Sequence, residues 1–301
     1  MSAALTATGL GKRYRGLWAL RDCSLEVPEG AVVGLVGPNG AGKTTLLQLA
    51  AGLLRPTTGR IGVLGYEPGK LELLPQIGFM AQDVPLYDSF TVGETLEFGR
   101  HVNLRWDDAT ARARLSQAGI ATERKVGTLS GGQRAQVALA LAFGKRPRLL
   151  LLDEPLASLD PLARRAFLQA LMSGVADGDL TVVLSSHLVV DLERVCDHLI
   201  VLSDSRTQVS GDISDLFSSH CVMVGPRTDA EKIAGVATIV QRSDTDRQST
   251  LFVRTDGPIL DPGWSVHRVS LEDLVLAYLG QPGSTALPGL RSVGTDVEVS
   301  Q

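Results

Sequence analysis

Three short stretches carry residue types that could handle phosphate. The first is Gly37-Pro-Asn-Gly-Ala-Gly-Lys-Thr-Thr45, which follows the apolar run Val32 to Val36 and precedes the helical-looking Leu46 to Ala51. The spacing of Gly37, Gly42, Lys43 and Thr44 fits the P-loop pattern. Glycines allow backbone torsions that side chains forbid, so in a loop running from Gly37 through Pro38, which has no N–H of its own, Asn39, Gly40, Ala41 and Gly42 to Thr45 the backbone N–H groups can converge on phosphate oxygens at the positive end of a helix. In that pattern Lys43 reaches the terminal phosphates and the Thr44 hydroxyl ligates Mg²⁺. The bland alternative is a Gly-rich strand-to-helix turn with an exposed lysine.

The second stretch is Leu149 to Leu152 followed by Asp153-Glu154-Pro155. A wholly apolar run suits a strand buried on both faces of a parallel sheet, and it places two acids at the carboxyl end, where ligands bind in such sheets. An acidic loop would be the ordinary explanation. The third is Leu129-Ser-Gly-Gly-Gln133, which opens the helical Arg134 to Gly144 and makes a second anion-binding helix start, with Ser130 able to cap it. A domain that owns one cradle rarely needs another for the same phosphate, so Ser130, Gly131, Gly132 and Gln133 are expected to serve a nucleotide held by another copy. Taken singly, the other candidates are weaker. Gln82 ends the short apolar run from Ile77, and Asp160 before Pro161 is accounted for as a helix N-cap. His187 follows the strand-like Thr181 to Ser185, where a lone histidine is more often structural, and Tyr14 falls in the first connection, where it reads as packing.

The elements that must carry these residues are legible in outline. Ala4 to Leu10 and Cys23 to Val27 read as strands ahead of the P-loop, and Arg60 to Leu64 and Ile77 to Ala81 as strands after it. From Pro85 to about Arg124 the pattern turns helical, with Thr91 and Glu94 spaced as a capping box and Asp107 to Ala118 amphipathic. His198 to Ser203 and Gln208 to Gly211 read as a closing hairpin. Beyond a boundary at Asp215 to Ser219, strands at Cys221 to Val224, Val236 to Arg242, Ser249 to Arg254 and Ser265 to Val269 precede a helix capped by Ser270, whose apolar face is Leu271, Leu274, Val275, Tyr278 and Leu279. This module has no cluster of catalytic residue types, so docking or dimerisation is its expected role. Residues 281–301, rich in Gly, Pro, Ser and Thr, read as a flexible tail.

The chain has 301 residues, 44% hydrophobic and 21% charged, with net charge −4, so no basic excess argues for a nucleic-acid partner. Its longest apolar runs fall short of the ~20 residues that span a bilayer, and its start lacks the basic flank and apolar core of a secretory signal. The expectation is a cytoplasmic protein unless a partner holds it at a membrane. Cys23, Cys196 and Cys221 are far apart and in no CxxC arrangement, so they read as small apolar fillers.

In this order, the P-loop, Gln82, the Leu-Ser-Gly-Gly-Gln loop, Leu-Leu-Leu-Leu-Asp-Glu-Pro, Ser-Leu-Asp at 158–160 and His187 make the chain resemble the ATP-binding subunit of an ABC transporter over about residues 4–217. The resemblance implies an α/β fold: a P-loop NTPase core with an N-terminal antiparallel β subdomain and a helical insertion at about 84–145. The ATPase domain would cover 1–219 and be followed by a small α+β module at 220–280. It implies ATP and Mg²⁺ as ligands, with Tyr14 stacking on adenine, Thr44, Gln82 and Asp153 around the metal, Glu154 as general base, and His187 at the γ-phosphate. Ser130 to Gln133 would complete the site of the opposite subunit, and Asp160 would belong to the nucleotide site. The implied partners are a second ATPase subunit, expected as a homodimer, and an integral membrane permease that holds the chain at the cytoplasmic face of the membrane.

Gln136 and Leu141 stand where the family often has basic residues, which touches the packing of the helical subdomain and not the nucleotide chemistry. The C-terminal module is similar to the short extension of ABC ATPases that work with separately encoded, exporter-type permeases, so export is the expected direction. The rival reading is a soluble regulatory ATPase acting on a ribosome, DNA or another protein, and neither a second cassette, a long coiled coil nor a basic arm is present to favour it. A chain that binds ATP without hydrolysing it is disfavoured by the presence of both Glu154 and His187.

Overall fold

The computed structural model describes residues 2–176, 180–227, 233–259 and 261–280, and within these residues the chain divides into two compact units, Met1–Leu216 and a second starting at Phe217. The tail expected over 281–301 lies outside the described residues.

The first unit opens with β1 (Ala3–Tyr14) and β2 (Leu17–Pro28), then β3 (Val32–Val36), α1 (Lys43–Ala50), β4 (Thr58–Val63) and β5 (Ile77–Met80). The helices α2 (Val92–Val102), α3 (Asp108–Gln117) and α4 (Gly131–Gly144) follow. Next come β6 (Leu149–Leu152), α5 (Pro161–Ala176), β7 (Thr181–Ser186), α6 (Val189–Leu192), β8 (His198–Ser203) and β9 (Arg206–Asp212), and then α7 (Ile213–Ser218), which runs across the boundary between the units. An antiparallel sheet has the order β2-β1-β4, and a six-stranded sheet has the order β5-β6-β7-β3-β8-β9, parallel except for the β8–β9 hairpin. β3 and β6 are buried at every position, as their unbroken apolar sequence requires. One apolar core joins the sheets through residues such as Leu10, Leu20, Leu35, Leu47 and Leu151.

The strands of the first hairpin run further than their apolar runs. Tyr14 is the last residue of β1, paired with Leu17, and so does not lie in the connection. The turn is only Arg15-Gly16, both at positive φ (44° and 95°), the backbone that suits a two-residue hairpin turn. Polar residues such as Lys12 and Arg13 hide the strand from a search for alternation. α4 begins at Gly131, directly after the Ser130 cap that the sequence implies. Ser130 accepts a hydrogen bond from the Gln133 amide, and the Gln133 side chain accepts one from the Ser130 amide. That reciprocal cap carries the helix over two glycines of poor intrinsic propensity.

Helices α2 to α4 share a core of their own that includes Val92, Leu96, Leu115, Val126 and Val137. Thr91 and Glu94 form the expected capping box at α2, and Asp107 caps α3.

In the second unit, β10 (His220–Pro226), β11 (Val236–Asp244), β12 (Gln248–Thr255) and β13 (Ser265–His267) form an antiparallel sheet of order β11-β12-β10-β13, followed by α8 (Leu271–Leu279). Cys221, Met223, Leu251, Val253 and Trp264 make its core. The Ser270 cap forms as the sequence implies, and Leu271, Leu274 and Val275 are buried, whereas Tyr278 and Leu279 are only partly so.

Candidate active site

Three parallel strands set the site. β3 ends in the P-loop, β6 in Asp153-Glu154, and β7, which lies between them, in Ser186-His187. Gly40 (φ 84°) and Gly42 (φ 104°) take up the left-handed torsions that the loop needs. Gly42 is the N-cap of α1, and a Cβ there would lie 2.6 Å from Leu20 Cδ2 and press on the Ala19 carbonyl as well. The loop therefore curls closely around the start of α1.

A cleft of about 430 Å³ is lined by Asn39, Gly40, Gly42, Lys43, Thr44 and Thr45 of the loop and by Gln82, Glu154 and His187 from the neighbouring strand ends. Ala19 and Ala157 complete the wall. Its volume lies within the ~300–1,000 Å³ typical of small-molecule sites. A larger hollow of about 1110 Å³ runs along the outer edge of β4, lined by residues such as Arg55, Arg60 and Tyr66, and holds none of the candidate residues.

Inside the cleft the polar groups form a chain. The Lys43 ammonium donates to the carbonyls of Gly37 (2.7 Å) and Pro38 (3.3 Å) and lies 3.1 Å from Glu154 Oε1. Glu154 Oε2 is 2.8 Å from His187 Nδ1, and because a carboxylate can only accept, Nδ1 carries the proton in that bond. Lys43 and Glu154 are nearly buried, at 6% and 9% exposure, so Glu154 Oε1 is shut from solvent with the Lys43 ammonium as its counter-charge. Asp153 is 2% exposed and accepts a hydrogen bond from the Ser185 hydroxyl at 3.0 Å, while Ser185 Oγ in turn accepts the Glu154 amide at 2.8 Å.

Other candidate residues lie elsewhere. Tyr14 is 43% exposed, with the Lys12 ammonium 5.3 Å from its ring, and does not line the cleft. Ser130, Gly131, Gly132 and Gln133 form the first turn of α4, away from the lining, and a Cβ on Gly132 would meet Ala163 Cβ of α5 at 2.7 Å. Asp160 accepts the amides of Leu162 and Ala163, both at 2.9 Å, as the cap of α5. Sequence reasoning missed Ser185, which it took only as the end of a strand. A hydroxyl after Val182-Val183-Leu184 at a buried position was the available signal. Among the described residues no cluster of three or more His, Cys, Asp or Glu could hold a metal.

The family model described as ABC transporter matches residues 20–157. The ABC transporter ATP-binding protein YtrB of Bacillus subtilis is 30% identical over 286 residues, covering 90% of this chain and 96% of that protein. The chain belongs to the ABC transporter ATPase family. The energy-coupling factor transporter ATP-binding protein EcfA2 of Symbiobacterium thermophilum is 35% identical, covering 87% of this ABC ATPase and 89% of that protein. The Nod factor export ATP-binding protein I of Rhizobium johnstonii is 37% identical over 69% of each chain. Among solved structures, cbiO1 from Clostridium perfringens, described as part of the ABC transporter complex cbiONQ, superimposes with a TM-score of 0.64 at 27% identity, covering 72% of this chain and 92% of that one. The dimeric structure of the bacterial cassette MJ0796 gives a TM-score of 0.62 at 26% identity over 69% of this chain and 98% of that one. The protein is thus an ATP-binding, ATP-hydrolysing cassette of the transport type, built on the P-loop NTPase fold expected from its motifs. Among the described residues no helix is long and apolar enough to cross a membrane.

Proposed function

We propose that two copies of this cassette close on ATP, drive a separately encoded membrane permease between its states, and reset on hydrolysis, with export as the direction of transport. The observation that carries the chemistry is the Lys43–Glu154–His187 chain drawn across three strand ends into one cleft. Phosphoryl transfer to water depends on a clamped, neutralised triphosphate and an oriented water rather than on a covalent intermediate. A triphosphate on the loop replaces Glu154 as the counter-charge of Lys43, which releases the carboxylate for an incoming water. Glu154 then takes a proton from that water while His187 holds Oε2 and faces the γ-phosphate. Thr44, Gln82 and Asp153 are all oxygen donors, which suits a hard cation held by few protein ligands and by phosphates. These residues would hold Mg²⁺, which supplies neutralisation of the β- and γ-phosphate oxygens when bound.

Ser130 to Gln133 stand outside the cleft of their own chain, and that separation supports a site completed head to tail by a second copy. Tyr14, exposed at the end of β1, is available to stack on adenine. The contact with the permease is assigned to the segment from Asp83 to Val102, which leads from Gln82 into α2 and exposes Tyr87, Phe98 and Val102. Export is supported by the C-terminal module and by the similarity to the Nod factor export protein. Tagged Glu154→Gln protein purified with ATP and Mg²⁺ from detergent-solubilised native membranes should bring down a polytopic membrane protein in stoichiometric amount. A soluble complex with no membrane partner would refute the transport assembly.

A further inference from the structure

Ser185 belongs to none of the nucleotide motifs, yet it joins two of them. It lies in β7, between the strand that delivers Asp153-Glu154 and the strand that delivers the P-loop, in register with Leu35. The side chain is wholly buried. A hydroxyl has one proton to give and lone pairs to accept with. Here the proton goes to Asp153 Oδ1 at 3.0 Å, and a lone pair takes the Glu154 amide at 2.8 Å. Glu154 itself sits at φ 46°, a left-handed torsion that residues other than glycine seldom adopt. That torsion turns its carboxylate back toward Lys43 and His187, and the bond from its amide to Ser185 holds the turn. Burial alone does not account for a serine, because Val182, Val183 and Leu184 show what an inward strand position accepts, and an unpartnered buried hydroxyl is unfavourable. The adjacent Ser186 has a different task. Its hydroxyl accepts the Leu188 amide at 3.0 Å and shapes the turn that carries His187.

We propose that Ser185 is a positioning residue for hydrolysis, fixing the Asp153 carboxylate and the Glu154 backbone relative to each other so that metal support and water activation stay in register. The proposal rests on the reading of Asp153 as the metal-supporting acid and Glu154 as the base.

The test uses the full chain with Ser185→Ala, Ser185→Cys and Ser185→Thr. A fluorescent ATP analogue is titrated in EDTA and then across a Mg²⁺ series, phosphate release gives kcat and KM, and thermal melting reports folding. Partners that orient metal ligands typically change metal affinity or activity on the order of 10- to 100-fold when removed. Ser185→Ala should therefore leave binding in EDTA unchanged, raise the half-saturating Mg²⁺ concentration and lower kcat far more than it changes KM. Cysteine, close in shape but a weak donor, should behave like alanine, and threonine should restore kcat. Wild-type kcat and Mg²⁺ dependence in Ser185→Ala and Ser185→Cys would overturn the proposal. So would equal loss of EDTA binding and melting temperature in all three variants, since that is a packing defect of β7. If Glu154→Gln loses turnover while Ser185→Ala does not, only the Ser185 role fails. Near-normal turnover of Glu154→Gln removes the reading beneath it.

Discussion

Replacing Glu154 by glutamine separates two things that this side chain does. Glu154 Oε1 is the counter-charge of Lys43 at 3.1 Å, with both groups less than a tenth exposed at 9% and 6%. Glutamine keeps the size and removes the charge. Stripping a buried charge of its partner costs about 3–5 kcal/mol when nothing else remains. Lys43 keeps the carbonyls of Gly37 and Pro38 at 2.7 and 3.3 Å, so the cost here should be smaller, about 2 kcal/mol. A bound triphosphate supplies the missing negative charge and recovers that energy. With about 1.4 kcal/mol per tenfold, nucleotide affinity in EDTA should rise roughly 30-fold over wild type. Turnover should at the same time fall by on the order of 10² or more, because the proposed general base is gone. Titration of a fluorescent ATP analogue at concentrations that keep the chain monomeric reads the first effect, phosphate release the second, and the melting temperature of the nucleotide-free protein should drop. Unchanged or weaker nucleotide binding together with an unchanged melting temperature would show that the ion pair does not oppose ATP entry.

Gly42→Ala should cost strain of about 1–3 kcal/mol at φ 104° and drive a methyl group against Ala19 and Leu20, so that ATP binding measured by the same titration is lost before global unfolding. Wild-type affinity in that variant would contradict the loop geometry. Asp107 is held below the usual carboxylate range, chiefly by the Thr110 amide and then by the Thr110 hydroxyl. Because the folded carboxyl binds its proton more weakly than the unfolded one, its contribution is complete above the unfolded pKa of about 4 and is lost as pH falls through the lower folded value. Urea midpoints between pH 6 and pH 3 should therefore decline less steeply in Asp107→Asn, which caps the helix without titrating, and equal slopes in the two proteins would count against this cap as an acid-sensitive element.

Much of the nucleotide site was legible before any fold was known, because its parts are local. A P-loop is a spacing of glycines, lysine and threonine along one strand-to-helix turn, and the Leu149–Leu152 run announces its own burial. Elements whose stability comes from pairing were read short: β1 continues to Tyr14 and β2 begins at Leu17, since hairpin hydrogen bonds and a two-residue turn outweigh the polar character of Lys12 and Arg13. The start of α4 was legible in Ser130, whose reciprocal cap with Gln133 outweighs the low propensity of Gly131 and Gly132.

By itself the sequence determined which residues could meet a phosphate and which strands would be buried on both faces, because glycine spacing and hydropathy act within a few residues of chain. Only the tertiary structure decided that the ends of β3, β6 and β7 lie side by side, that Lys43 is held by Glu154 and Glu154 by His187, and that Ser185 links Asp153 to the Glu154 backbone. The physical reason is that the order of strands in a sheet is set by crossovers and shared burial across the whole core, and contacts between residues more than thirty positions apart leave no periodic trace in the chain.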